Sequence, residues 1–306
     1  LQAATRAFFG APALPAGAWD VPGLWFGTPG EATPQDQAHA HPQMAHPGQT
    51  VLHGHGTSWA YLRAVRFDSR PGHADQLHLD LWWKGYNLCQ DPGSYRYTAS
   101  PPWDNALVPG RVHNTIEIDE QDQMTRAGRF LYLDWAQAHI LERTSASDGS
   151  WERLIISHDG YRKLGITHQR RVTAFRSPVW RVEDMISGPG QVSHRYRLHW
   201  LVPDWAWEAR LSNGQFQLTL RAPAGNVTLK IGAEPAKLQT NLALPLECCL
   251  VRGGELIWGE GAAHPTWGWT SPTYSDKIPA LAVIVQVQGI LPLQITSEWS
   301  LPDETS

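Results

Sequence analysis

The densest chemistry in this sequence lies between Arg70 and Asp119, RPGHADQLHLDLWWKGYNLCQDPGSYRYTASPPWDNALVPGRVHNTIEID. His73 stands just before a run of alternating residues. Asp91 opens an Asp-Pro-Gly turn at the end of the next run, and His113 starts a third. Side chains at successive strand ends can converge on one edge of a sheet. Two neutral imidazoles and one carboxylate are a donor set suited to zinc, with a fourth position open to water or substrate. Asp75, Gln76 and Asn114 sit beside them, where hydrogen bonds would orient the rings. In a chain with 14 His such a set also arises without any metal, so the spacing alone leaves both readings open.

Strands must position these groups, and the sequence predicts many. Gln76–Trp83 alternates, with Leu77, Leu79, Leu81 and Trp83 on one face and His78, Asp80 and Trp82 on the other. The adjacent Trp82 and Trp83 therefore point to opposite faces, one of them into the core. Similar runs are predicted at 114–119, 129–135, 137–143, 166–173, 180–186, 194–201, 215–221, 227–232, 281–288 and 293–297. Turn signals such as Lys84-Gly85, Asp91-Pro92-Gly93, Asp148-Gly149 and Asn213-Gly214 separate them. No helical period outlasts about two turns after residue 58. The expected fold is all-β, a large two-layer antiparallel β-sandwich over residues 57–306. Residues 1–56, rich in Pro, Gly, Ala, Gln and His, read as a connector.

Composition narrows the function. The 306 residues carry a net charge of −4, without the basic balance of a nucleic-acid binder. No apolar run approaches the roughly 18–20 residues of a membrane helix. The 16 Trp are far above ordinary usage and point to packing or stacking of indole rings. Twenty of the 25 cationic residues are Arg, the side chain that grips carboxylates and sulfates in bidentate fashion, although GC-rich codon usage gives the same bias. Cys89, Cys248 and Cys249 form no disulfide framework and read as buried thiols.

The stretch resembles the C-terminal β-sandwich domain of the heparinase II/III-like polysaccharide lyases. The resemblance rests on His73-Ala74-Asp75-Gln76-Leu77, Lys84-Gly85, Asp91-Pro92-Gly93-Ser94-Tyr95 and His113-Asn114-Thr115, in that order. A second cluster, His168-Gln169-Arg170-Arg171-Val172 with Glu183-Asp184 and His194, resembles the family's middle strands. The likeness covers residues 58–200 well and is weaker beyond. It implies cleavage of uronate-containing acidic polysaccharides by β-elimination, which neutralises a uronate carboxylate, removes the C5 proton and protonates the leaving O4. It implies a zinc held by His73, Asp91 and His113, an N-terminal α/α-toroid as partner across the cleft, and a periplasmic or extracellular setting.

The toroid carries the usual catalytic Tyr of the family. This chain is accordingly expected to be part of a lyase and incomplete alone, with no catalytic residue assigned within it and residues 1–56 a remnant of that missing domain. Arg70, Gln76, Tyr95, Tyr97 and Trp103 are the candidate contacts for an acidic glycan; each of Arg70, the two Tyr and the Trp has an equally ordinary use in packing or surface ion pairs. One departure stands out: many members carry a His two places before His73, and here that place is Pro71. The departure favours an alternative, a non-catalytic carbohydrate-binding or structural sandwich. Elsewhere, His53 and His55 read as a solvated pair in the connector, and His194 as a hydrogen-bonded structural histidine.

Overall fold

The computed structural model describes residues 49–190, 192–236 and 243–303. The predicted connector therefore lies outside the described residues except for its last eight positions. There the expectation is corrected: Gln49–His53 is a strand paired with Trp59–Arg63. The run TVLH supplies apolar, β-branched residues, and Leu52 is fully buried.

Three larger antiparallel sheets and two two-stranded ones make up the fold of the described residues. The largest has eight strands in the order 207–212, 215–222, 225–235, 293–300, 179–187, 167–175, 151–158 and 138–145. A five-stranded sheet runs 255–259, 247–252, 281–290, 193–202 and 116–118. A four-stranded sheet joins 49–53, 59–63, 79–83 and 86–89. No α-helix occurs among the described residues, and no helix there is long and apolar enough to cross a membrane. Each predicted run contains a strand, but strands 59–63, 86–89, 151–158, 207–212, 247–252 and 255–259 lie outside the predicted runs. Residues 129–135 are not a single strand but the turn and second arm of a hairpin, Thr125–Gly128 paired with Leu131–Leu133.

One core joins the sheets. From the eight-stranded sheet come Val172, Trp180, Val182, Phe216, Leu229, Ile295 and Trp299. Leu198, Trp200, Val283 and Val285 face them from the five-stranded sheet, with Leu79, Leu81 and Trp83 from the four-stranded one. Trp200 and Trp299 meet edge to face with ring centroids 5.7 Å apart, and Trp200 Nε1–H donates to Ser297 Oγ at 3.1 Å. Trp83 is the core member of the Trp pair, while Trp82 stacks on Trp59 at 5.4 Å. The three cysteines are buried and unpaired by disulfides.

One buried polar cluster crosses this core, and its members are matched to one another. Gly160 N–H donates to His158 Nδ1, which leaves His158 Nε2–H to donate to His168 Nδ1 at 3.2 Å. His168 Nε2–H then donates to Asp184 at 2.7 Å. Arg170 grips the same carboxylate through Nε and Nη2, and its Nη1 donates to the carbonyls of Leu77 and Asn114 at 2.7 and 2.6 Å. Burial pushes the Asp184 carboxyl up, but Arg170 and His168 outweigh it and hold it at about 2. The second cluster singled out in the sequence is thus a fastening. It ties the eight-stranded sheet to the two segments that carry His78 and His113.

Candidate functional site

His73, Asp91 and His113 come from three separate turns. His73 lies in the irregular segment before strand 79–83, Asp91 follows strand 86–89, and His113 closes a short 3-10 turn, Gly110–Val112. Asn114 locks these segments together. Its Oδ1 accepts from Leu201 N–H at 2.7 Å, and its Nδ2 donates to Leu79 O and Gln90 O at 2.9 and 3.1 Å. Its backbone N–H donates to His78 Nδ1 at 3.0 Å.

The hydrogen bonds fix which ring nitrogens face the site. His113 Nδ1–H donates to Pro109 O at 2.8 Å, so Nε2 carries the lone pair. His73 Nε2 lies 3.3 Å from Ser94 Oγ, and its Nδ1 lies 3.3 Å from His113 Nε2. Two ligands at about 2.0–2.1 Å on a tetrahedral ion are separated by about 3.3 Å, so this spacing fits a zinc-type donor pair. Burial pushes His113 down to about 4 against the pull of Asp91, which keeps the ring neutral at neutral pH.

Two carboxylates border the pair. Asp91 Oδ1 accepts from Gly93 N–H at 2.7 Å, and its Oδ2 stands 3.7 Å from His113 Nε2 and 3.6 Å from His78 Nε2. Burial raises the Asp91 carboxyl, but the His113 and His78 imidazoles and the Gly93 N–H outweigh it and leave it below its ordinary value. Asp75 is the second. Its carboxylate, with His73 and His113, forms the group whose donor atoms all lie within 4.8 Å of one another. Sequence reasoning gave Asp75 only a supporting place, because adjacency to His73 suggests a neighbour rather than a ligand. Asp75 Oδ1 accepts from Arg63 Nε at 2.7 Å, so a cation already balances it.

His78, on the face opposite the leucines, is buried, with Nδ1 accepting a backbone N–H. Its Nε2 therefore carries the proton and stands 3.7 and 3.6 Å from Asp80 and Asp91 without a hydrogen bond to either.

The glycan-contact candidates separate. Gln76 is fully buried, and its amide is spent on Val65 N–H, Val65 O and Ala136 O. It has no free polar atom for a glycan, and that expectation is corrected: the side chain pins the His73 segment. Tyr95 and Trp103 pack edge to face at 5.5 Å, half-buried, and with Trp269 they surround Lys277 Nζ. Tyr97 is exposed against Phe130 and Tyr274, and Arg70 lies over Phe130 with 5.9 Å to the ring centroid. Pro71 is buried, so it fills the place of the second His with packing. His194 Nδ1 meets Asp119 at 2.6 Å, a structural contact. The segment 267–277 escaped sequence reading; its one signal is the density of aromatics in WGWTSPTYSDK.

Residues 36–295 match the family model described as heparinase II/III-like, C-terminal. No curated protein matches. Among solved structures, the chain is similar to a heparinase III, the BT4657 gene product, with TM-score 0.59 and 16% identity over 85% of this chain and 36% of that one. It is similar to the heparan sulfate lyase HepC from Pedobacter heparinus, with TM-score 0.58 and 16% identity over 81% of this chain and 34% of that one. A further heparinase III structure gives TM-score 0.56 and 14% identity over 80% and 33%. At these identities the likeness is one of fold, and the chain spans about a third of the length of these enzymes. With the family model covering most of its residues and the sandwich matching in fold, the chain belongs to the heparinase II/III-like, C-terminal family.

Proposed function

We propose that this chain is the sandwich portion of a lyase that cleaves uronate-containing acidic polysaccharides by β-elimination. In this reading His73, Asp91 and His113 hold zinc at the rim of the substrate cleft. The observation that carries it is the 3.3 Å approach of His73 Nδ1 to His113 Nε2, with both rings oriented by bonds to their other nitrogens. Asp91 is the carboxylate chosen, because Oδ2 faces His113 while Asp75 is already neutralised by Arg63. Bound zinc would draw three turns together and present positive charge toward a uronate carboxylate. The chain's own residues form and orient this wall: Ser94 steers His73, Pro109 steers His113, and Gly93 N–H steers Asp91. Proton removal at C5 and protonation of O4 are assigned to groups that close over the wall from outside it.

The test is metal content by mass spectrometry on the purified chain beside His113→Ala, Asp91→Asn and Asp75→Asn. About one zinc per chain, lost with His113→Ala and Asp91→Asn and kept with Asp75→Asn, is the expected result. Retention in Asp91→Asn with loss in Asp75→Asn would move the third ligand to Asp75. Absence of metal from the parent chain after growth in zinc would remove the site and favour the alternative, a carbohydrate-binding or structural sandwich, to which the buried Pro71 already points.

A further inference from the structure

The side chains around the Asp91 turn make a second surface distinct from the metal-type donors. Tyr97, Phe130 and Tyr274 are 45%, 43% and 54% exposed, although large aromatics usually bury most of their area. Their rings touch, with Tyr97 5.2 Å from Phe130 and 5.1 Å from Tyr274. Three remote segments bring them together, and each is fixed. Tyr97 N–H donates to Tyr274 Oη, Ser275 N–H to Tyr95 O, and Asn105 Nδ2 to Arg129 O behind the Phe130 hairpin.

Cations line this surface. Arg70 lies over Phe130, Arg96 over Tyr95, and Lys277 Nζ sits 3.1, 4.2 and 5.7 Å from the ring centroids of Trp269, Trp103 and Tyr95. Arg129 is paired with Asp104, and Asp276 is a nearby exposed carboxylate. Among the described residues Arg70, Arg96 and Lys277 form no ion pair. Exposed flat rings match the apolar faces of pyranose units, and unpaired cations beside them match carboxylate or sulfate groups.

We propose that Tyr97, Phe130 and Tyr274 form a stacking platform for a sugar ring of an acidic oligosaccharide, with Arg70, Arg96 and Lys277 receiving its anionic groups. This inference rests on the acidic-glycan reading above. The turn that places Asp91 and Ser94 at the metal-type donors also carries Tyr97, three residues after Ser94 and so within about 10 Å of chain. One oligosaccharide can therefore lie across both. The cage also gives a signal, since an anion that draws Lys277 off Trp103 and Trp269 changes their fluorescence.

The experiment is calorimetric and fluorescence titration of the full chain with a heparin hexasaccharide, an oligomannuronate hexasaccharide and neutral cellohexaose. Variants are Tyr97→Ala/Tyr274→Ala, Tyr97→Phe/Tyr274→Phe, Lys277→Met and His113→Ala, with circular dichroism confirming each fold. The expected result is binding of at least one acidic probe. The double Ala variant should weaken it about tenfold or more, the double Phe variant should not, and Lys277→Met should reduce the salt dependence. Unchanged affinity in the double Ala variant, with loss in His113→Ala, overturns the platform and leaves the acidic-glycan reading standing. Failure of every acidic probe to bind, or equal binding of cellohexaose, overturns both. Self-association that disappears in the double Ala variant, with no glycan bound, reassigns the surface to a second copy of the chain.

Discussion

Arg170→Met tests whether the site is held from behind. The Arg170 side chain is buried, and its fork makes two bonds to Asp184 and two to the carbonyls of Leu77 and Asn114. Met keeps much of the stem's volume but leaves a buried carboxylate without its guanidinium. Removing one partner of a buried ion pair costs about 3–5 kcal/mol. Each carbonyl left without a donor adds about 1–3 kcal/mol, less than additively. Against a typical total of about 5–15 kcal/mol, Arg170→Met should stand near the limit of folding.

Adding Asp184→Asn removes the stranded charge and leaves an acceptor for His168 Nε2–H. About 2–3 kcal/mol should return, the part owed to charge rather than to the two carbonyls. Leu77 O and Asn114 O remain loose in the double variant, so the His78 and His113 segments stay unfastened. Zinc affinity should then be down about tenfold or more even where stability has recovered. Urea denaturation and competition with a chromogenic chelator measure the two quantities. A loss below about 1 kcal/mol in Arg170→Met, or full zinc affinity in the double variant, would refute the reasoning.

Other expectations follow from the same geometry. Asp184 is held at about 2 against an ordinary 3.8, so it contributes stability above the ordinary value that is lost as pH falls through about 2. The shift corresponds to about 2–3 kcal/mol, and Asp184→Asn should flatten the acid limb of urea midpoint against pH; an unchanged limb would assign it to other groups. His199 is buried and pushed by desolvation down to about 3, so its contribution is present above about 6.5 and is lost progressively as pH falls from there. His199→Leu should lessen the loss of stability between neutral and mildly acidic pH, read from thermal midpoints across that range. Gly93 has φ +73°, and a Cβ there would lie 2.4 Å from Ser271 O. Gly93→Ala should therefore cost about 1–3 kcal/mol and, by shifting Asp91, lower zinc retention on dialysis; wild-type retention would separate the turn from the site.

The sequence made the strands legible where one face is buried. Thr167–Phe175, Val179–Ser187 and Leu293–Ser300 alternate cleanly, and their inward residues are those the pattern predicts. Trp151–His158 was not legible, because WERLIISH mixes polar and apolar residues without a period of two. His73, Asp91 and His113 could be read from turn chemistry and strand ends, and the structure brings His73 and His113 together. Asp75 could not be ranked against Asp91 from spacing, since only Arg63 and the rings decide which carboxylate is balanced. Gln76 has the residue type of a glycan contact but the environment of a pin. Burial of an amide with all its partners is a tertiary fact. Tyr274 and Ser275 lay beyond reach because their partners Tyr97 and Arg96 are nearly 180 positions away.

That separation has a consequence for how the protein is made. The Asp91 turn is held by Gly93 against Ser271, by Ser271 N–H to Pro92 O, and by Ser275 N–H to Tyr95 O. His73 and His113 emerge from the ribosome early, yet the strip that braces their third partner is translated after most of the sandwich. Contacts of such long sequence separation form late, after the closure entropy of the intervening chain has been overcome. A nascent chain stopped before Ser271 would carry the two histidines on partly assembled sheets with the Asp91 turn unbraced. In the proposed reading, metal capture and glycan contact would wait until the strip around Ser271 has been synthesised.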